Sequence, residues 1–372
     1  MLTAGRTRYK PRSAPGTTKY GPTGLYSEHT FSHLNLPEDL VQAMVKTANH
    51  SLAKKTWQSY KTAIKHLETC QQETGVALTL PLQEKDVLLF TSWLTVRRGV
   101  RAATADCYLS AIRQAHMTRG INPPNLRSEL VKSVLKGGRN ENTIADRTEG
   151  RPTRLPVTIS MMKLIKAELA ASNHSYMDKR LIWMVCSINF YGCFRVHETL
   201  ARSETSFDPA FTLLAGDVEH KSVLASGRKE QLIQLRLKSP KEDRVGRMTY
   251  IDVYETGGLL CPVKAYLKWR DTNPPMDKDL PAFRLGNGVP LTGRKLNAEL
   301  KKCLSKHIPY EMGSVTSHSF RSGMASLMGE LGYSDLEIQA MGRWSSSAFE
   351  SYIKLPRKKR SDMARDIGRR GW

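Results

Sequence analysis

Three kinds of residue pattern are scarce in this chain. Its six cysteines, Cys70, Cys107, Cys186, Cys193, Cys261 and Cys303, are scattered, and no two form a CxxC pair. That spacing speaks against a zinc site and against a disulfide framework, and it fits a reducing compartment. Long apolar runs are missing too. No stretch approaches the roughly 20 residues that span a bilayer, and the N-terminus carries no apolar segment of the secretory type. The chain therefore reads as soluble and intracellular, with no membrane partner. Acids are scarce relative to bases: 35 Asp and Glu stand against 57 Lys and Arg, a formal charge of +22 over 372 residues. Such an excess implies a polyanionic partner, because each neutralised phosphate releases counterions. A membrane surface would require a basic amphipathic helix or a lipid anchor, and neither is visible, so nucleic acid is the better fit.

What is present suits two packed domains. The length exceeds one ordinary domain, and 40% hydrophobic residues supply material for cores. Residues 1–35 place Arg6, Arg8, Lys10, Arg12 and Lys19 among Gly, Pro, Ser and Thr, and read as a flexible basic arm, either a solvated tail or a phosphate contact. Residues 36–137 carry helical periodicity throughout. Leu36-Pro37-Glu38-Asp39 starts one helix; Leu52, Trp57, Tyr60, Ile64 and Leu67 mark the next. Val87, Phe90, Trp93 and Leu94 mark a third, Tyr108, Leu109 and Ile112 a fourth, and 126–135 a last one. This is a small all-α domain, with Lys54, Lys55, Lys61, Arg97 and Arg98 as candidate phosphate contacts. Residues 138–154, opened by Gly137-Gly138 and polar to Pro152, read as a linker. Residues 155–356 are mainly helical, interrupted by a hairpin pattern at 232–237 and 248–253 around the turn 239–247. The fold class expected is mainly α in two domains, the second α-rich with a small antiparallel sheet.

The chemistry-bearing residues succeed one another in the second domain: Arg195 and Glu198 in Cys193-Phe194-Arg195-Val196-His197-Glu198, Lys241 in the hairpin turn, His318 and Arg321 in His318-Ser319-Phe320-Arg321, Trp344 in Gly342-Arg343-Trp344, and Tyr352. Each alone has a plainer reading. Arg195 and Glu198 suit an internal ion pair, His318 a helix start, Trp344 and Tyr352 core packing, and Lys241 an exposed turn, with Lys238 and Lys229 as rivals. Tyr191, Tyr310 and Tyr333 lack the Gly-Arg-Trp lead-in. Together the residue types suit attack on a phosphodiester. Two arginines can clamp the non-bridging oxygens bidentately with charge that does not titrate away. A tyrosine supplies the nucleophile once a base and a positive field help remove its proton. A lysine suits protonation of the leaving oxygen, and an indole N–H can donate to phosphate but not shuttle protons.

The ordered set resembles the signature of the tyrosine recombinases, the phage-integrase family, over roughly residues 36–356. That signature is an arginine with an acid three places later, a hairpin lysine, His-x-x-Arg, a His or Trp, and a tyrosine. The resemblance implies a helical core-binding domain at 36–137 and a catalytic domain at 155–356. It also implies cutting and rejoining of double-stranded DNA through a 3′-phosphotyrosyl link at Tyr352, with no metal and no nucleotide cofactor. Catalytic roles would fall on Arg195, Lys241, His318, Arg321, Trp344 and Tyr352, a supporting role on Glu198, and a DNA contact on Arg343. Relatives assemble as four protomers on DNA, and a C-terminal segment docks on the neighbour; the basic tail 357–372 is expected to do likewise. Gly-Arg-Trp-Ser-Ser and Ser-Pro-Lys-Glu-Asp look most like recombinases of eukaryotic mobile elements, the Crypton and DIRS/Ngaro groups. Arg357, Lys358, Lys359 and Arg360 would then direct nuclear entry; otherwise the protein would be cytoplasmic. A type IB topoisomerase-like enzyme and a catalytically silent DNA-binding relative are the alternatives.

Overall fold

The computed structural model describes residues 26–352, apart from 53, 150–153, 226, 239–247, 274–276, 310–312 and 345. The chain divides between residues 151 and 152 into two compact units, each with its own core.

The first unit is all helical among the described residues. Its helices are α1 (Glu28–Phe31), α2 (Glu38–Asn49), α3 (Lys54–Thr74), α4 (Glu84–Ser92), α5 (Ala102–Met117) and α6 (Glu129–Thr148). Leu67, Phe90, Leu94, Leu109, Ile112 and Val131 fill its centre. His116 is fully buried there. Its Nδ1 lies 2.8 Å from the Ile112 carbonyl while its Nε2 accepts from the Leu82 N–H at 3.1 Å, so the ring is the neutral Nδ1–H tautomer. Two sequence expectations need correction. The basic arm ends before residue 35: α1 is folded, and the buried Thr30 hydroxyl donates to the Thr118 carbonyl at 2.6 Å. The linker expected at 138–154 is helix as far as Thr148. Gly137-Gly138 does not break α6, because a side chain at 138 would press on Ala102 Cβ at 3.1 Å; the glycine there permits close packing on α5. Asn142 accepts from the Ala102 N–H, and Arg139 pairs with Asp106.

The second unit contains α7 (Ile159–Ala171), α8 (Tyr176–Tyr191), α9 (Val196–Thr199), α10 (Pro262–Arg270), α11 (Gly293–Leu304), α12 (His318–Leu331) and α13 (Asp335–Gly342). Between α9 and α10 lies an antiparallel sheet, β1 (Val218–Ala225), β2 (Arg228–Leu237) and β3 (Thr249–Tyr254), in the order β1-β2-β3. The expected hairpin is β2 with β3, registered with Ile233 opposite Val253 and Leu235 opposite Ile251. β1 had no expectation: its alternation is interrupted by Glu219, His220 and Lys221, as befits an edge strand with polar exposure.

α8 is the axis of this unit. Ten consecutive residues, Leu181 to Phe190, are buried, so it is surrounded rather than amphipathic. Its polar residues are satisfied internally: Ser187 donates to the Leu260 carbonyl at 2.7 Å and Asn189 to that of Val185 at 2.8 Å. Such a helix gives the loop beyond its C-terminus a fixed point of departure. α12 packs on α8, and the extended segment before α7 crosses α12 at Gly323, where an added Cβ would sit 2.1 Å from the Val157 carbonyl oxygen. The Val157 N–H in turn donates to the Ser319 carbonyl at 2.9 Å.

Gly323→Ala therefore cannot be accommodated without moving backbone. It is expected to lower unfolding stability by about 2 kcal/mol or more in urea titrations, whereas Gly258→Ala, which faces open space, is expected to stay within about 0.5 kcal/mol. Equal effects would contradict the close crossing.

Candidate active site

Three chain turns bring the site residues together. The first comes after α8. Gly192 ends the helix, Cys193 takes a left-handed φ of 50°, and Phe194 buries its ring, leaving Arg195 as the N-cap of α9. A Cβ at Gly192 would overlap the Phe194 ring. Asn189 holds both flanks: its carbonyl accepts from the Phe194 N–H at 3.2 Å and its side-chain oxygen from the Thr199 hydroxyl at 3.0 Å. The second turn is the start of α12, where the i, i+3 spacing sets His318 and Arg321 on one face. The third comes after α13. Gly342 is its last residue, Arg343 has φ 54°, and Trp344 folds its ring where a Cβ at Gly342 would otherwise be. A 3-10 turn, Ser347–Tyr352, then packs through Phe349 against Ala325, Met328 and Ile338 of α12 and α13.

Arg321 is the centre of this arrangement. It is 5% exposed, and it donates to two main-chain carbonyls, that of Cys193, at 2.7 Å, and that of Gly342. Its guanidinium lies 4.3 Å from the centre of the Trp344 ring. Among the described residues no carboxylate forms an ion pair with it. Burial lowers its pKa, with Arg195 and Arg343 adding to the effect. A desolvated guanidinium braced by neutral acceptors retains its unit charge for an anion.

Arg195 and Glu198 form the internal ion pair that their spacing suggests, at 3.0 Å, and the Arg195 N–H also donates to Glu198 at 2.9 Å. Arg343 reaches the same carboxylate at 3.1 Å. Two arginines share one buried carboxylate, and Arg321 adds a third positive charge nearby, so the cluster carries excess positive charge. The Arg343 guanidinium, a candidate DNA contact from the sequence, is engaged here by Glu198 and by the Gly192 and Cys193 carbonyls, at 3.1 and 3.3 Å. His318 remains exposed as a residue, yet its pKa is lowered, first by partial desolvation of the ring and then by Arg154, Arg321 and Arg195. A neutral imidazole at pH 7 can accept a proton.

The remaining candidates differ in how they are held. The backbone of Tyr352 closes the 3-10 turn nine residues after Arg343. Lys241 lies outside the described residues, as do Tyr310 and the basic tail 357–372. Lys238 is held by the buried Asp217 carboxylate at 2.8 Å and by the Pro209 carbonyl at 3.1 Å, an engagement that argues against proton donation to a substrate. Lys229 is exposed on β2. In the first unit, Lys54 and Lys55 open α3, Lys61 is half-buried along it, and Arg97 is exposed in the π-helical turn Trp93–Arg97. Arg98 stacks 5.6 Å from the Trp93 ring centre and pairs with Glu73 at 3.7 Å. The described residues contain no cluster of three or more His, Cys, Asp or Glu suited to a metal, and no helix long and apolar enough to cross a membrane.

Solved structures give this architecture a place. The XerH site-specific recombinase, in a post-cleavage complex with a palindromic difH substrate, superposes with a TM-score of 0.54 at 12% identity, covering 92% of this chain and 90% of that one. Lambda integrase residues 75–356, a dimer bound to a COC′ core site, gives 0.53 at 15% identity over 86% and 95%. The Tn1549 transposon integrase in complex with circular intermediate DNA gives 0.51 at 12% over 84% and 94%. The fold is that of the tyrosine recombinases. No protein-family model matches the chain, and no curated protein matches it by sequence. The two-unit recombinase fold thus extends over most of the chain, and in its second unit it assembles Arg195, Glu198, His318, Arg321 and Trp344 around the start of the segment leading to Tyr352.

Arg154, which sequence reading passed over as part of the linker, is the nearest test of the site's field. Arg154→Ala removes a repelling charge and is expected to raise the His318 pKa, measured by NMR titration of the imidazole. An unchanged or lower value would contradict the charge arrangement described.

Proposed function

We propose that this protein is a site-specific DNA recombinase that cuts and rejoins double-stranded DNA through a covalent tyrosyl intermediate. The observation that carries the proposal is the buried Arg321 guanidinium, braced among the described residues by carbonyls and an aromatic face and set beside Arg195 and His318. That cluster suits a group with negative charge on more than one oxygen. The solved proteins of this fold include ones bound to recombination-site DNA and to a circular transposon intermediate, which supports duplex DNA as the ligand here.

In the reaction, the Tyr352 phenolic oxygen attacks the scissile phosphorus. A P–O bond to tyrosine forms and the P–O5′ bond breaks, leaving DNA joined through a 3′-phosphotyrosyl link. Arg195 and Arg321 bind the non-bridging oxygens, where charge builds in the transition state. His318 takes the phenolic proton or donates to the phosphate, and the Trp344 indole N–H serves as a phosphate donor. Lys241 supplies the proton to the departing 5′-oxygen. Attack by a 5′-hydroxyl reverses these steps on the same or an exchanged strand. Because the phosphodiester energy is kept in the tyrosyl link, no nucleotide is consumed. Four protomers on paired sites would perform the full exchange. Within the fold, the Gly-Arg-Trp-Ser-Ser and Ser-Pro-Lys-Glu-Asp stretches favour a mobile-element enzyme of the Crypton or DIRS/Ngaro type, and residues 357–360 would serve nuclear entry.

The test is a pooled set of randomised duplexes, each nicked so that the short product strand diffuses away after cleavage. Wild-type protein is expected to form a denaturation-resistant adduct, in EDTA as well as without it, and Tyr352→Phe to form none. Arg321→Ala is expected to slow adduct formation by roughly 10²–10³-fold while DNA binding by gel shift is retained. Adduct formation by Tyr352→Phe, or parallel loss of binding and cleavage in Arg321→Ala, would contradict the proposal. Acidification is expected to slow wild-type adduct formation only below the ordinary histidine range near pH 6.5, because the His318 pKa is lowered.

A further inference from the structure

We propose that Arg343 is a positioning residue, which ties the turn leading to Tyr352 to the loop that presents Arg195 and so sets the spacing between nucleophile and phosphate clamp. The inference rests on the recombinase reading above.

Arginine is an unusual residue for the backbone conformation at position 343. At φ 54° the backbone of residue 343 lies in the left-handed region, where glycine is the default and asparagine the usual alternative. An arginine is retained there against its conformational preference. Its side chain is 18% exposed, so it does not form an outer basic rim. The guanidinium reaches back to the loop that carries Arg195. All its described hydrogen-bond partners belong to one seven-residue stretch: the Gly192 carbonyl at 3.1 Å, the Cys193 carbonyl at 3.3 Å and Glu198 Oε2 at 3.1 Å. Its plane also lies 5.0 Å from the Phe194 ring centre. It therefore grips the loop on both sides of Arg195.

The acceptors of Arg343 are also shared with the two clamp arginines. Glu198 Oε1 holds Arg195 Nη1, while Oε2 takes both the Arg195 N–H and Arg343. The Cys193 carbonyl takes both Arg321 and Arg343. Loss of Arg343 loosens the acceptors that orient the two clamp arginines, and it frees the turn whose continuation, Ser347–Tyr352, carries the nucleophile. Lysine would keep the charge but offers no planar fork to reach three acceptors.

Two readouts test this. The first is a double-mutant cycle on adduct formation with the nicked duplexes, using Arg195→Ala, Arg343→Ala and the pair. Arg343→Ala alone is expected to slow the reaction roughly 10²-fold, and to add little in the Arg195→Ala background. Arg343→Lys is expected to recover only part of the rate. The second readout needs no DNA. Cys193 is buried, with its thiol donating to the Arg321 carbonyl at 3.6 Å, and Cys186 is buried in the α8 core. In Arg343→Ala, iodoacetamide is expected to label Cys193 several-fold faster while Cys186 stays protected, as tracked by peptide mass spectrometry. Effects that multiply fully in the cycle, complete recovery by lysine, or unchanged Cys193 labelling would overturn the positioning role. Exposure of Cys186 in step with Cys193 would mark a general folding residue and overturn it equally. If wild-type protein forms no adduct, the recombinase reading fails on its own. Cys193 labelling then decides whether Arg343 holds the loop.

Discussion

The second unit is organised around one buried positive charge. Arg321 sits between the carbonyls of Cys193 and Gly342 with the Trp344 ring against its face. Withdrawing a guanidinium from water costs several kcal/mol unless its N–H groups are satisfied. Here the satisfaction comes from main-chain dipoles, which neutralise nothing. To aim those carbonyls inward the chain leaves two helices through left-handed residues, Cys193 and Arg343, each directly after a glycine. The glycines are needed because the adjoining aromatic rings, Phe194 and Trp344, occupy the space of a Cβ. Backbone conformations of this kind persist only where surrounding contacts over-determine them, and they concentrate at functional sites.

Much of the architecture is legible in the sequence because burial and secondary structure share a period. The amphipathic spacing of Trp57, Ile64 and Leu67 lies on α3, and the Pro37-Glu38-Asp39 start opens α2. The alternation of Leu235 and Leu237 lies on β2. The candidate residues stood out for a different reason: few side chains suit phosphoryl chemistry, and the structure gathers Arg195, Glu198 and Arg321 from segments distant in the chain.

The features that sequence reading missed depend on contacts between distant segments. Gly137-Gly138 looks like a break, yet Gly138 is a packing position, and the neighbour that explains it, Ala102, is remote in the chain. β1 is too polar for a strand pattern and is held by its partner β2. Arg343 looks like one more basic residue in a chain of charge +22; only the folded loop shows that its partners are Gly192, Cys193 and Glu198. Lys238, a rival to Lys241 on sequence grounds, is held by a buried acid, Asp217, more than 20 residues earlier.

The same geometry links stability to chemistry. The Cys193 carbonyl and the Glu198 carboxylate each serve two arginines, so the loop after α8 is both the brace of the clamp and part of the unit's core. In the proposed reaction this clamp holds a phosphodiester against the Tyr352 oxygen. The most direct test of that reaction is peptide mapping by mass spectrometry of the DNA adduct after nuclease trimming. The account predicts a residual nucleotide phosphate on the phenolic oxygen of Tyr352. Attachment to Tyr191, Tyr333 or any other side chain would contradict it.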